Sequence, residues 1–290
     1  MKVSGFTFIK NAVKYDYPIV EAILSVLPLC DEFVLALGDS DDDTAKLIQT
    51  INSPKLKIIH TTWDATMKKG GGVLADETNK ALAAVSKEST WCIYIQGDEC
   101  VHEQDLEAIR QSMWQWKDDL KVEGLVFDYL HFYCTYDYIS DPFSRYHSEV
   151  RIIRNNLGIK SWKDAQGFRK AGEKLYTKLA NAKVYHYGWV KAPHDMQKKQ
   201  KYFNTLWHDE HKATEMVTEG ETYNYETTDR LYKFMGSHPK LMQQRIDKLN
   251  WKLNTDPTTN PLKWKIRLKM WLKLLTGREL GVYKNYRMLK

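Results

Sequence analysis

A chain of 290 residues, 43% of them apolar, can bury a substantial core, which excludes a disordered tail or linker. Its four cysteines, Cys30, Cys92, Cys100 and Cys134, form no Cys-x-x-Cys pair, so neither a zinc knuckle nor a disulfide framework is indicated and a reducing compartment is expected. The formal charge of +6 is uneven: residues 251–290 hold ten Lys/Arg against two Asp/Glu, a net of +8, leaving −2 for the first 250, and basicity confined to one terminal segment with no recognition motif argues against nucleic acid as a partner.

The opening run, MKVSGFTFIKNAVKYDYP, is too briefly apolar for a signal peptide, and nothing reaches the roughly 18 residues of a membrane span. A cytoplasmic protein is expected, soluble or peripheral at the inner face of a membrane. In chain order, strands are predicted at 3–9, 32–37 and 56–60, with helices at 18–27 and 42–51 between them. A helix at 72–85 leads to a strand at 91–95, and a helix at 103–116 follows with Leu106, Ile109, Met113 and Trp116 at helical spacing. Further strands are expected at 124–129, 149–154 and 183–187; after His194 the chain reads as mostly helical. The alternation predicts an α/β fold with a mostly parallel sheet covered by helices on both faces.

In such sheets ligands bind beyond the carboxyl ends of the strands. There the apolar run of WCIYIQGDEC gives way to Asp98 and Glu99. With no cation nearby in sequence, the two carboxylates would repel each other unless an ion or solvent stabilised them, and oxygen donors suit Mg²⁺ or Mn²⁺ bridging to a phosphate. The competing reading makes Glu99 and Glu103 the acidic first turn of the next helix.

The order of FIKNAVKYDYP, VLALGDSDDDT, GGGVLADETNKAL, WCIYIQGDE and VYHYGW resembles family 2 glycosyltransferases with the GT-A fold, over roughly residues 3–190. The resemblance implies a catalytic domain over 1–195, a mostly parallel mixed sheet flanked by helices, and a helical, basic extension over 196–290. It implies an inverting, metal-dependent enzyme of hexosyltransferase type, moving a sugar from a nucleotide-diphosphate donor to a hydroxyl of a polysaccharide or glycolipid. Gln96-Gly97-Asp98 stands in place of the family's Asp-x-Asp. Asp98 would hold Mn²⁺ or Mg²⁺, and Gln96 would face the donor with one charge fewer. The loop GDSDDDT implies nucleotide contacts by Asp39 and Asp42, while Ser40 or Asp41 could equally cap the following helix. Lys69, beside Lys68 and a glycine run, would approach the diphosphate; Asn79 would position nucleotide or donor loop.

His186, in HYGW, would reach back to the same ion, against the alternative of a histidine bonded within an aromatic cluster. Asp164 stands where the family places its catalytic base, with Glu149 second; ion pairs with Lys163, Arg151 or Arg169 are the alternative for both. Arg169 and Lys170 are candidates for the leaving diphosphate. The rings of 127–138, FDYLHFYCTYDY, read as core before acceptor groove. PLKWKIRLKMWLKLLTG carries Trp and Leu among cations, as an element on an anionic membrane surface does, while packing on the domain with snorkelling lysines stands beside that. A nucleotidyltransferase of similar architecture and a non-catalytic polysaccharide-binding protein are the alternatives to the transferase. The sequence leaves oligomeric state open.

Overall fold

The structure, a computed structural model, describes residues 1–64, 66, 67, 69–141, 145–207, 222–225, 228–277 and 283–290, with backbone only at Lys69 and Trp207. Four strands run parallel in the order β3 (Leu56–Thr61), β2 (Glu32–Gly38), β1 (Val3–Ile9), β4 (Trp91–Tyr94). Helices α1 (Ile19–Val26), α2 (Thr44–Gln49) and α3 (Gly72–Ala83) connect them. Side chains alternate across a strand, so Phe33 and Leu35 join an apolar cluster with Ile19 and Ile23 of α1. Val34 and Ala36 join another with Val73 and Leu74 of α3. Two covered faces explain why β1 and β2 read as continuous apolar runs.

At β4 the sheet changes direction. β8 (Ser148–Arg154) pairs antiparallel with β4, and β6 (Gly124–Cys134) antiparallel with β8. β12 (Tyr176–Val190) then runs parallel to β6, with β5 (Glu99–Val101) antiparallel along it. α4 (Leu106–Gln115) packs on β12. β7 (Tyr138–Ser140) continues from β6, while β9 (Ile159–Trp162), β10 (Gly167–Lys170) and β11 (Glu173–Lys174) form a separate small sheet. A mostly parallel mixed sheet flanked by helices is thus the architecture.

Differences from expectation lie where partners are distant in sequence. β6 runs five residues beyond the expected end and β12 is far longer than 183–187, because each supplies the other's hydrogen bonds. The segment beyond 196 is not helical throughout. α5 (Pro193–Trp207), α6 (Gln243–Asp247) and α7 (Trp264–Thr276) alternate with β13 (Leu231–Lys233) and β14 (Arg287–Met288), which pair with β7 and β12. Among the described residues no helix is long and apolar enough to cross a membrane. The rings Phe127, Phe132, Tyr133 and Tyr136 are buried in the core.

Candidate active site

A cavity of about 340 Å³ opens beyond the carboxyl ends of β1 and β4, lined among others by Lys10, Gln96, Asp98, Asp164, His186 and Lys199. Of the residues expected from sequence, four therefore meet at one place: Gln96, Asp98, Asp164 and His186.

Asp98 leaves β4 on a tight turn, and its carbonyl accepts from Tyr187 N at 2.8 Å, which locks it to β12. The pairing of β12 with β6 slips between His186 and Trp189, an irregularity of the kind that re-aims side chains beside functional sites. A Cβ on Gly188 would sit 2.4 Å from Asp98 Oδ2 and 2.9 Å from His186 Nε2, so only glycine lets the two side chains meet. They stand 3.7 Å apart, Oδ2 to Nε2, and Lys199 Nζ of α5 lies 3.2 Å from the same oxygen. Burial alone would raise the Asp98 carboxyl; the ammonium groups around it, Lys199 foremost, overcome it and bring it down to about 2.

Hydrogen bonding fixes the His186 tautomer. His131 sits opposite it in the β6–β12 register, with Nε2 2.8 Å from the Tyr146 carbonyl and Nδ1 3.1 Å from His186 Nδ1. A carbonyl only accepts, so His131 carries its proton on Nε2. Burial holds both imidazoles below the usual histidine range, hence neutral. His131 Nδ1 is then an acceptor, His186 Nδ1–H donates to it, and His186 Nε2 presents a lone pair toward Asp98.

Glu99 does something different from its neighbour. It is in β5, not a helix, and is fully buried, with Oε1 and Oε2 taking Arg151 Nη2 at 2.8 Å and Nε at 2.9 Å. Tyr129 Oη and Gln96 N complete its shell. The sequence reading left these carboxylates without cations; each has one, supplied from a distant strand or helix. Such a buried two-pronged pair is costly to break singly, about 3–5 kcal/mol.

Asp164 occupies the turn between β9 and β10, flanked by Lys163 and Ala165 at φ of 54° and 61°. Two consecutive-but-one residues in the left-handed region cost energy and must be held from outside. Gln96 Nε2 donates to the Ala165 carbonyl at 3.2 Å, and Arg151 Nη1 to that of Gln166 at 2.9 Å. Asn79 of α3 brackets Ser161, accepting from its amide at 2.8 Å. Gln96 and Asn79 thus brace the turn. Among the described residues Asp164 makes no ion pair, so the ion-pair alternative is not what the structure shows, and burial raises its carboxyl above the ordinary aspartate range. Glu149 lies behind the turn, outside the cavity wall, accepting from Gln166 Nε2 at 2.7 Å and Asn285 Nδ2 at 3.2 Å; burial pushes it up to about 7.

The remaining expected residues are placed elsewhere. Asp39 accepts from Lys10 Nζ at 2.8 Å at the cavity's edge. Asp42 spends its oxygens on the amides of Thr44 at 2.9 Å and Lys14 at 2.7 Å. It is therefore the turn-closing residue at α2; Ser40 Oγ accepts instead from Asn11 N, and Asp41 pairs with Lys14. The Lys69 side chain and all of Lys68 lie outside the described residues. Arg169 is committed to Asn285 and Lys170 to Glu123, both away from the cavity.

A carboxylate oxygen, Asp98 Oδ2, and an imidazole nitrogen, His186 Nε2, are the two donors here that would hold a divalent ion. Among the described residues no group of three or more His, Cys, Asp or Glu could hold a metal by itself. Lys199, His131 and Gln166 were missed by sequence reasoning: the first comes from a polar helix with no motif, and the second would have required the β6–β12 register.

No protein family and no curated protein matches the chain. Among solved structures, TarS of S. aureus is similar at 16% identity, over 76% of this chain and 42% of that chain, with a TM-score of 0.40. The chain thus spans less than half the length of that protein. TarS 1-349 in complex with UDP is similar at 15% identity over 76% of this chain and 70% of that one, TM-score 0.37. Glucosyl-3-phosphoglycerate synthase from Mycobacterium tuberculosis, with Mn²⁺, UDP and phosphoglyceric acid, is similar at 18% identity over 45% and 43% of the two chains, TM-score 0.30.

Proposed function

We propose that the chain is an inverting GT-A glycosyltransferase that moves a sugar, a hexose by the family resemblance, from a nucleotide-diphosphate donor to a hydroxyl of a carbohydrate or lipid-linked acceptor. The observation that carries it is convergence: Asp98, Asp164 and His186, from three separate segments, wall one cavity of about 340 Å³ at the carboxyl ends of parallel strands. In this reading residues 1–195 are the catalytic domain, and the 196–290 extension lends it Lys199 and Asn285.

Asp164 is the base. The acceptor oxygen forms a bond to the anomeric carbon as its proton passes to the Asp164 carboxylate, and the bond from that carbon to the phosphate oxygen breaks, its electrons leaving with the nucleoside diphosphate. A single displacement of this kind inverts configuration. Asp98 and His186 would hold Mn²⁺ or Mg²⁺, which supplies charge neutralisation of the leaving diphosphate. Lys199 adds a cation at the same spot, and burial lowers Lys191 to about 7 beside it. Lys10 and Asp39 stand at the nucleotide end.

α7 supports peripheral membrane association. Trp264, Leu268, Trp271 and Leu275 recur at helical spacing and are exposed, at 68% and 55% for the two tryptophans, while Ile266 on the opposite side is buried. Residues 260–277 include no acidic side chain. An exposed apolar stripe flanked by cations is the pattern of an interfacial helix. In this reading the Ile266 side of the helix meets the domain and the exposed stripe meets the membrane.

Calorimetric titration with nucleoside diphosphates and Mn²⁺, followed by turnover with the corresponding sugars, tests the function. One nucleoside diphosphate should bind, and Asp164→Asn should keep that affinity while lowering turnover about 10²–10⁴-fold. Absence of binding by every nucleoside diphosphate, or release of pyrophosphate as product, refutes the reading.

A further inference from the structure

Arg145 is a half-buried cation at the wall between two cavities. Its guanidinium stacks 4.4 Å from the Trp189 ring centre and 5.1 Å from that of Tyr133. Burial lowers its pKa, and among the described residues no carboxylate lies within ion-pair distance of it. The second cavity, about 310 Å³, also takes in Arg230 and Lys263. Lys263 is matched by Asp229 at 3.0 Å, and Asp141 accepts from Tyr232 Oη at 3.0 Å. Arg230 donates from Nε to the Asn260 carbonyl at 2.8 Å and likewise has no carboxylate partner among the described residues. Three cations, Arg145, Arg230 and Lys263, and two carboxylates, Asp141 and Asp229, thus line one chamber, an excess of one positive charge among the described residues, and neither guanidinium there has a carboxylate at ion-pair distance. Planar donor forks fit the several oxygens of a phosphate.

We infer that this chamber is an acceptor subsite for a phosphate group, held by Arg145 and Arg230, so that the acceptor is a phosphate-bearing carbohydrate or lipid-linked saccharide. The inference rests on the glycosyltransferase reading for the word acceptor. Arg145 touches both chambers, so a phosphate bound there leaves the rest of the molecule free to reach Asp164 in the first. Lys263, the residue before α7, lines the same chamber and joins it to the helix with the exposed apolar stripe.

The test is calorimetry with glycerol 3-phosphate and with glucuronate, in the absence and presence of a saturating nucleoside diphosphate with Mn²⁺. Glycerol 3-phosphate should bind wild type under both conditions. Arg145→Gln and, independently, Arg230→Gln should each weaken it about tenfold or more without changing nucleotide affinity by more than about twofold. The inference is overturned if phosphate binding survives both substitutions, if Arg145→Gln weakens nucleotide binding equally, which would give Arg145 to the donor, or if glucuronate binds as tightly as the phosphate. If no nucleoside diphosphate binds at all, the transferase reading fails separately, and the nucleotide-free titration still decides whether the phosphate site exists.

Discussion

The side-chain amide of Gln96 donates to the carbonyl of Ala165 across 69 positions of sequence, at 3.2 Å. This contact gives a physical reason for an amide where the resembled family has aspartate: a carboxylate cannot donate, and a charge aimed at a carbonyl would push the Asp164 turn away. Gln96→Glu should therefore lower turnover about tenfold through displacement of the base, with nucleotide affinity little changed. Steady-state kinetics beside nucleotide titration checks this. Lost affinity with intact turnover would instead make Gln96 a donor contact.

His131 acts on His186 through one ring-to-ring hydrogen bond. Outer partners of this type are worth roughly tenfold to a hundredfold in metal affinity. His131→Phe removes the acceptor and frees His186 to take the tautomer with its proton facing Asp98. Mn²⁺ affinity in the presence of nucleoside diphosphate, read by electron paramagnetic resonance, should fall about tenfold. His131→Asn, whose oxygen can take the place of Nδ1, should recover most of it. An equal loss in both variants would point to packing alone.

Glu149 is buried and its folded pKa, about 7, lies above the ordinary 4.5. The folded state then holds a proton that the unfolded state has released, so its stabilising contribution is complete below pH 4.5 and disappears as pH rises toward 7. Glu149→Gln stays neutral throughout. The stability of wild type relative to this variant should drop by about 2–3 kcal/mol between pH 5 and pH 8, measured by denaturant unfolding. Taking the difference removes the opposing contributions of His131 and His186, whose lowered pKa values favour the folded state as pH rises through 6.5. A flat difference would show that Glu149 is ionised in the fold.

α7 should bind vesicles containing anionic lipid more tightly than neutral ones, and more weakly as salt increases. Trp264→Ser combined with Trp271→Ser should cut partitioning at least tenfold, by cosedimentation, while leaving nucleotide binding intact. Unchanged partitioning refutes the membrane surface. A shift from dimer to monomer in the double variant would assign the stripe to a second copy of the chain.

β1, β2 and β4 were legible because burial on both faces makes each a largely apolar run bounded by turn residues; β3, an edge strand with no buried residue, was legible from its place in the alternation of strands and helices. β12 was legible only over 183–187, since Lys178 and Asn181 interrupt the pattern before it and its partners lie in β6 and β5. The short strands β13 and β14 gain their pairing only from open sheet edges, which leave no local signal. Motif order singled out Asp98, Asp164 and His186, which the fold brings to one cavity, although it could not show that Asp42 closes a turn or that Glu99 is neutralised by Arg151. Cations supplied from across the fold are invisible to a reading that looks for charge nearby in sequence.

Lys199 poses the sharpest question of mechanism, because its ammonium already sits 3.2 Å from the oxygen that a divalent ion would need. A monovalent and a divalent cation about 4 Å apart repel by roughly 8 kcal/mol at an effective dielectric near 20. One must therefore move, or both must be compensated by the same anion. A diphosphate does the latter: it brings negative charge to the ion and gives the ammonium a new partner. Mn²⁺ alone should bind wild type weakly, and nucleoside diphosphate should strengthen it by well over tenfold. Lys199→Met should raise Mn²⁺ affinity in the absence of nucleotide, lift the Asp98 carboxyl from about 2 toward its ordinary range, and still lower turnover about a hundredfold, because the leaving group loses a cation. Tighter metal with poorer catalysis is the signature of a lysine that belongs to the leaving diphosphate. Weaker metal binding in the variant, or undiminished turnover, would show that Lys199 serves only to neutralise Asp98 in the fold.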